Sequence, residues 1–152
     1  MSPRADLAAY DKNGQLALLV EAKSRLNTNA GWAAKMHRNL IAHGTVPSTN
    51  YFMLALPDNL YLWNSSTTAK EEAGPNYTLR PEPLLQRYLD SSGLSLNTLS
   101  ESSLAILLGS WINDVIKYGV PDDLPEPQRS ALLQSGLVDA IRGGRLEVDQ
   151  QP

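Results

Sequence analysis

The sequence has no cysteine and only two histidines among its 152 residues. Without thiolates, a disulfide scaffold and a cysteine zinc site are both excluded, and two histidines are too few for most other zinc sites. The lack of cysteine is consistent with a reducing compartment, and we expect a cytoplasmic protein. There is no hydrophobic run as long as a membrane span and no signal-peptide pattern, so we expect neither membrane insertion nor secretion.

The sequence also lacks an excess of positive charge. Its formal net charge is -3, which argues against a protein covered with nucleic-acid-binding surface. The charges are unevenly distributed, however. Residues 1–43 carry six basic and three acidic side chains, whereas the remainder carries seven basic and thirteen acidic ones. The first segment therefore has the charge that a phosphate-backbone ligand requires, although chance explains this distribution comparably well.

What the sequence does contain is a short apolar run with charges at its end. Leu16–Val20 are five consecutive apolar residues, and such a run predicts a strand buried on both faces because a half-exposed strand would alternate. Glu21 and Lys23 follow, and the two-residue period of a strand places them on the same face. Taken alone, this pair describes a strand end that emerges into water.

The residues before this strand change that interpretation. Asp6–Asp11, a turn containing Asn13 and Gly14, and the strand beginning near Gln15 predict a β-hairpin. With the turn centred near residues 12 and 13, residues whose numbers sum to about 26 or 27 lie opposite each other at roughly 5 Å. Asp6 then lies beside Val20 or Glu21, whereas Asp11 stays at the turn. Two carboxylates and the Lys23 ammonium converge, which predicts a site for a hard divalent metal.

These residues resemble the PD-(D/E)xK nuclease superfamily, the fold of many restriction enzymes, resolvases and repair nucleases. The resemblance rests on Asp6, on Glu21-Ala22-Lys23 after a hairpin, and on the helix and apolar strand that follow, and it covers roughly Arg4 to Trp63. It implies that Asp6, Glu21 and the backbone carbonyl of Ala22 ligate Mg²⁺ or Mn²⁺. It also implies that Lys23 orients or polarises the attacking water.

A helix is predicted after the candidate site. It runs from about Ala30 to Ala42, with Thr28 or Asn29 as its N-cap. Its apolar stripe consists of Trp32, Met36, Leu40 and His43.

Several polar side chains near the site are candidate nucleic-acid contacts. The candidates are Arg4, Arg25, Lys35, Arg38 and Asn39. The last three lie off the apolar stripe of the predicted helix, where they would reach phosphates. The alternative for each of these three is an ordinary solvated helix face.

Two further strands complete the predicted core. Tyr51–Leu56 is a second buried run, and Leu60–Trp63 follows it after a turn. The order strand, strand, helix, strand, strand permits a parallel crossover. We therefore predict an α/β fold, with a restriction-endonuclease-like mixed β-sheet core covered on one face and a C-terminal α-helical extension. Residues 1–63 form this nuclease-like core.

The remainder is divided into a connection and a helical region. Residues 64–83 are predicted to be a linker with a possible edge strand at Tyr77–Leu79, and residues 84–152 a helical region that packs on the core. A capping-box pattern at Thr98–Glu101 begins the main helix. Its apolar stripe consists of Leu104, Leu108, Trp111, Val115 and Tyr118. The stripe needs either the sheet or a second copy of the chain as a partner, and packing within the chain is favoured. Shorter helices are expected within Gln128–Arg142, and a last strand at Arg145–Val148.

Two classes of function agree with these features. The first is a metal-dependent nucleic-acid phosphodiesterase, most simply a DNA endonuclease, acting alone, as a homodimer or as a subunit of a larger complex. The second is a non-catalytic nuclease-like module that serves binding or assembly in a defence, repair or recombination complex. The first is favoured because a buried strand does not readily carry two charges without a use for them.

Overall fold

The computed structural model describes residues 5–42, 51–64 and 73–148. Within these residues the chain forms a mixed six-stranded sheet and five α-helices, so the α/β class is confirmed. The strands are β1 (Leu7–Tyr10), β2 (Leu16–Ala22), β3 (Tyr51–Ala55), β4 (Leu60–Trp63), β5 (Tyr77–Leu79) and β6 (Arg145–Val148). The helices are α1 (Ala30–Ala42), α2 (Pro81–Ser92), α3 (Glu101–Tyr118), α4 (Gln128–Gln134) and α5 (Leu137–Ile141).

The strands are arranged in the order β5-β4-β3-β2-β1-β6. The pair β2 and β3 is parallel, with α1 as the crossover, and every other neighbouring pair is antiparallel. β6 lies beside β1, and Gly144 precedes it. A Cβ at Gly144 would lie 1.8 Å from the carbonyl oxygen of Tyr10, so only glycine permits this close approach. The predicted order strand, strand, helix, strand, strand is observed. The two further predicted strands, Tyr77–Leu79 and Arg145–Val148, are also present.

The predicted hairpin is present between β1 and β2. Leu7 pairs with Val20, and the pairing shifts by one residue between Ala9 and Tyr10. The turn residue Gly14 has a φ of 83°, a left-handed conformation that glycine adopts without steric cost. The carboxylate oxygen Oδ1 of Asp11 accepts the N–H groups of Asn13 and Gln15, each at 2.9 Å. Asp11 is thus a turn-forming residue, as its predicted position implied.

Helix α1 packs on one face of the sheet, and it begins and ends at the predicted residues. The Asn29 Oδ1 accepts the Trp32 N–H at 2.8 Å and caps the helix. The predicted stripe is only partly right, because the buried positions are Ala33, Ala34 and His37. Trp32, Met36 and Leu40 flank them and are half-buried. Ala33 and Ala34 are small enough to be almost fully covered, whereas the larger Trp32, Met36 and Leu40 pack against the same core and stay partly exposed. His43 lies outside the described residues.

The opposite face of the sheet is covered by the other helices. Buried side chains of β1, β2, β3 and β4 share one core with α2, α3, α4 and α5, so the prediction that one face is covered was wrong and both faces are. The predicted α3 stripe is buried except at Tyr118, which is 76% exposed in the last turn. The helix is capped by Ser100, whose side chain accepts the Ser103 N–H, and not by the predicted Thr98. α2 begins at Pro81, inside the predicted linker.

None of the helices in the described ranges is long and apolar enough to cross a membrane.

Candidate active site

The open end of the hairpin brings Asp6 beside Glu21. Leu7 pairs with Val20, so continuing the antiparallel register by one residue places Asp6 opposite Glu21. The Asp6 carboxylate oxygen Oδ2 accepts the Ala22 N–H at 2.7 Å. This hydrogen bond replaces the next backbone bond of the ladder and fixes the carboxylate at the strand end.

Lys23 lies against Glu21 on the same side of the strand. Its Nζ is 3.6 Å from the Glu21 Oε1, and the side chains are 32% and 12% exposed, respectively. The Lys23 N–H donates to the Ala55 carbonyl at 2.9 Å, which continues the parallel pairing of β2 with β3. The backbone that carries the lysine is therefore held by the sheet, while its ammonium group reaches the carboxylate.

Glu21 is electrostatically strained. Its burial, reinforced by the neighbouring Asp6 carboxylate, raises the pKa of Glu21 to about 7, although Lys23 acts in the opposite direction. Its second oxygen, Oε2, is buried and has no hydrogen-bond partner in the described part of the chain. Burying such an oxygen without a partner costs free energy. A bound cation would satisfy the oxygen and offset the repulsion between the two carboxylates.

The backbone supplies one more oxygen to this place. In a strand, the N–H and C=O of one residue point to the same side, and the Ala22 N–H points to Asp6. The Ala22 carbonyl therefore faces the same side as the Asp6 carboxylate. Two carboxylates and a carbonyl form a set of hard oxygen donors suited to Mg²⁺ or Mn²⁺. Among residues 5–42, 51–64 and 73–148 there is no cluster of three or more acidic, histidine or cysteine side chains that would hold a metal.

The residues predicted to contact nucleic acid are spread over the loop after Lys23 and helix α1. Arg25 lies two residues after Lys23 and is exposed, with its Cζ 5.4 Å from the centroid of the Trp32 ring. Lys35, Arg38 and Asn39 are exposed on α1, about 8 to 14 Å along the axis from its first residue at 1.5 Å per residue. Of these four residues, Arg25 is the nearest in sequence to Asp6, Glu21 and Lys23. Arg4 lies outside the described residues.

The surroundings of two further residues were not predicted from sequence. Glu101, at the start of α3, contributes to raising the pKa of Glu21, so a third acid acts on the cluster from a distant part of the chain. His37 is buried on α1, and its ring stacks on Trp63 with centroids 4.2 Å apart. Its position four residues after Ala33 was a usable signal for His37. Nothing local in the sequence links Glu101 to Glu21.

No protein-family model, curated protein or solved structure matches this chain.

Proposed function

We propose that the protein is a metal-dependent nucleic-acid phosphodiesterase, with DNA as its substrate and a restriction-endonuclease-like core. The observation that supports this proposal is the state of Glu21. It is a nearly buried carboxylate with one unsatisfied oxygen, placed beside a second carboxylate and a lysine. A fold that gains nothing from such a group would lose stability by keeping it.

Each residue of the cluster has a distinct role in this proposal. Asp6, Glu21 and the Ala22 carbonyl would hold Mg²⁺ or Mn²⁺, which when bound supplies a Lewis acid that lowers the pKa of water and neutralises phosphate charge. Lys23 donates hydrogen bonds from its ammonium group, orients the attacking water and stabilises negative charge that develops on the phosphate. The sheet holds the lysine backbone fixed, so little reorganisation is needed during the reaction.

The proposed function also has implications for the cellular compartment, the substrate contacts and the oligomeric state. The absence of cysteine fits the reducing cytoplasm. Arg25, Lys35, Arg38 and Asn39 are exposed and would contact the nucleic acid beside the site. A homodimer or a larger complex would supply further contacts to a substrate that a chain of net charge -3 attracts weakly.

The alternative is a non-catalytic module with the same fold. One observation favours it, since Lys23 is engaged by Glu21 at 3.6 Å and an ion pair of this kind also serves a purely structural role. In that case Asp6 and Glu21 would shape the strand end, and the chain would act in the assembly of a larger defence, repair or recombination complex.

Substitution of the cluster separates the two functions. We expect Asp6→Asn and Glu21→Gln each to abolish Mn²⁺ binding, measured by calorimetry, and to abolish cleavage. Lys23→Ala should leave Mn²⁺ binding largely intact but remove most cleavage, because the lysine acts on water and not on the ion. The triple variant should lose little more than each single one, since the parts do not act independently.

Asp11→Asn is the control for this series. Asp11 lies at the opposite end of the hairpin from Asp6, about 15 Å along the strand at 3.3 Å per residue, and cleavage should persist. Substrates should include single-stranded, double-stranded and branched DNA, and RNA. Metal binding that is independent of Asp6 and Glu21, with no cleavage of any substrate, would leave only the assembly function.

A further inference from the structure

The loop after Lys23 is anchored to the rest of the protein at its far end. The Asn27 N–H donates to the Asp58 Oδ2 at 3.1 Å, and the Thr28 hydroxyl lies 2.8 Å from the Tyr61 hydroxyl. Asn27 has a φ of 60°, a left-handed conformation that is uncommon outside glycine. The sheet fixes the other end through Lys23. Residues 24–26 are therefore held between two fixed points and are exposed.

These exposed residues combine a planar cation with apolar surface. The Arg25 guanidinium lies over the Trp32 ring, with 5.4 Å from Cζ to the ring centroid, which is within the range of a cation–π contact. Leu26, the next residue in the sequence, is 41% exposed. Trp32 itself packs partly against the core beneath α1. We call Arg25, Leu26 and Trp32 the loop platform.

The chemistry of the loop platform suits unpaired bases better than a duplex. The outside of a duplex presents phosphates and sugars, which offer no flat apolar face to a leucine side chain or to an arginine supported by a tryptophan. In an unpaired strand the faces of the bases are accessible, and they stack on aromatic rings and guanidinium planes.

The overall charge points in the same direction. A duplex carries about one negative charge per 1.7 Å, and proteins that bind it neutralise many phosphates. This chain has 13 basic and 16 acidic residues, so electrostatic attraction to a duplex is weak. Stacking provides affinity that does not depend on a large positive surface.

We propose that the loop platform binds an unpaired strand of nucleic acid, with a base stacked on Arg25 and Leu26 close to Lys23. This inference rests on the proposed function, and it names unpaired nucleic acid as the substrate class. The anchoring by Asp58 and Tyr61 keeps the platform at a fixed distance from the candidate active site. A base held there would place the adjoining phosphate near the Asp6, Glu21 and Lys23 cluster.

Fluorescence anisotropy with the full chain tests this proposal. A short labelled oligonucleotide, single-stranded or annealed into a duplex, is titrated in EDTA so that no metal-dependent cleavage occurs. Arg25→Lys keeps the charge and removes the planar group, and we expect it to weaken single-strand binding at least about fivefold, with little change for the duplex. Leu26→Ala should weaken single-strand binding about threefold, since less apolar surface contacts the base.

The chain provides a matched control for each variant. Arg87 lies over Tyr88 at 5.6 Å, so Arg87→Lys makes the same change at a second cation–π pair. Leu133 is 42% exposed, so Leu133→Ala removes a leucine of equal exposure. Both controls should bind like the unsubstituted protein. All four positions are exposed or partly exposed, and thermal unfolding should confirm that each variant is folded.

The outcomes distinguish this proposal from the proposed function. Equal affinity for single strand and duplex, no measurable affinity for the single strand, or losses in the controls as large as those in Arg25→Lys and Leu26→Ala, would overturn the platform. Metal-dependent cleavage that persists in any of these cases would leave the phosphodiesterase function intact. Single-strand binding that depends on Arg25 and Leu26, without cleavage under any metal, would support the platform and contradict the phosphodiesterase.

Discussion

Glu21 is a residue whose burial costs the folded protein stability. It is 12% exposed, has one unsatisfied oxygen and shares its surroundings with Asp6. Its pKa is raised to about 7 from 4.5, so the folded protein retains a proton that the unfolded chain releases. The folded state therefore loses stability as the pH rises from the lower value to the higher one.

The pH dependence of the free energy of unfolding tests whether the charged form of Glu21 destabilises the folded protein. In the absence of metal we expect Glu21→Gln to raise the free energy of unfolding at about pH 8 by on the order of 2 kcal/mol. The difference should shrink as the pH falls toward about 4.5, where the carboxyl group is protonated in the folded protein. Urea denaturation at several pH values measures both. An exposed acid, Glu82, gives the control Glu82→Gln, which should change little; equal behaviour of the two variants would contradict the strain.

His37 is expected to have the opposite effect on pH dependence. Burial lowers its pKa to about 4 from 6.5, so the unfolded chain takes up the proton first. The stability associated with neutral His37 is present above about pH 6.5 and is lost as the pH falls through about 4. His37→Phe keeps a ring against Phe52 and Trp63. It should reduce the loss of unfolding free energy at low pH by on the order of 2 kcal/mol. An unchanged acid limb of the denaturation curve would show that His37 titrates normally.

At the scale of single elements, the sequence predicted helices better than it predicted their buried faces. The start of α1 follows from a polar cap at Asn29, whose side chain accepts the Trp32 N–H. Its buried face depends on which residues the sheet can accommodate, and Ala33 and His37 fit more closely than the larger Trp32 and Met36. On α3, Tyr118 continues the apolar spacing, but its side chain is 76% exposed, although Val115 and Ile116 in the same turn are buried.

Trp111 is the residue of α3 whose removal should be most destabilising. Its side chain is 6% exposed and belongs to the core shared with the sheet. Trp111→Ala should lower the free energy of unfolding by about 3 to 5 kcal/mol. Ile106→Ala is the control on the same helix, because Ile106 is 67% exposed and its substitution should cost less than about 0.5 kcal/mol. Similar urea midpoints for both variants would mean that Trp111 is not buried.

For the whole molecule, the local order of elements was predictable and their assembly was not. The hairpin register that joins Asp6 to Glu21 follows from one turn and the two-residue period. The sequence predicted that the C-terminal helices pack on the core. Which face of the sheet they cover, and the influence of Glu101 on Glu21, depend on contacts between residues far apart in the chain, which no local pattern encodes.

Because strands β1 to β4 share a core with helices α2 to α5, we expect that residues 1–83 do not fold alone. One face of β1 to β4 is covered by side chains from α2 to α5. A fragment of residues 1–83 would expose that face to water and lose the apolar burial that offsets chain entropy. We expect it to show no cooperative thermal unfolding by circular dichroism, in contrast to the full chain. A cooperative transition in the fragment would show that residues 1–83 form an independent domain.

The neighbours of β1 have a consequence for biosynthesis. The strand at residues 7–10 leaves the ribosome before the strand at residues 145–148, which is its outer partner. Until that later strand is made, β1 remains an open edge, and the segment carrying Asp6 has only one neighbouring strand. Pairing across so much sequence closes slowly. The sheet that carries Asp6 and Glu21 is therefore completed only after residues 145–148 have been translated.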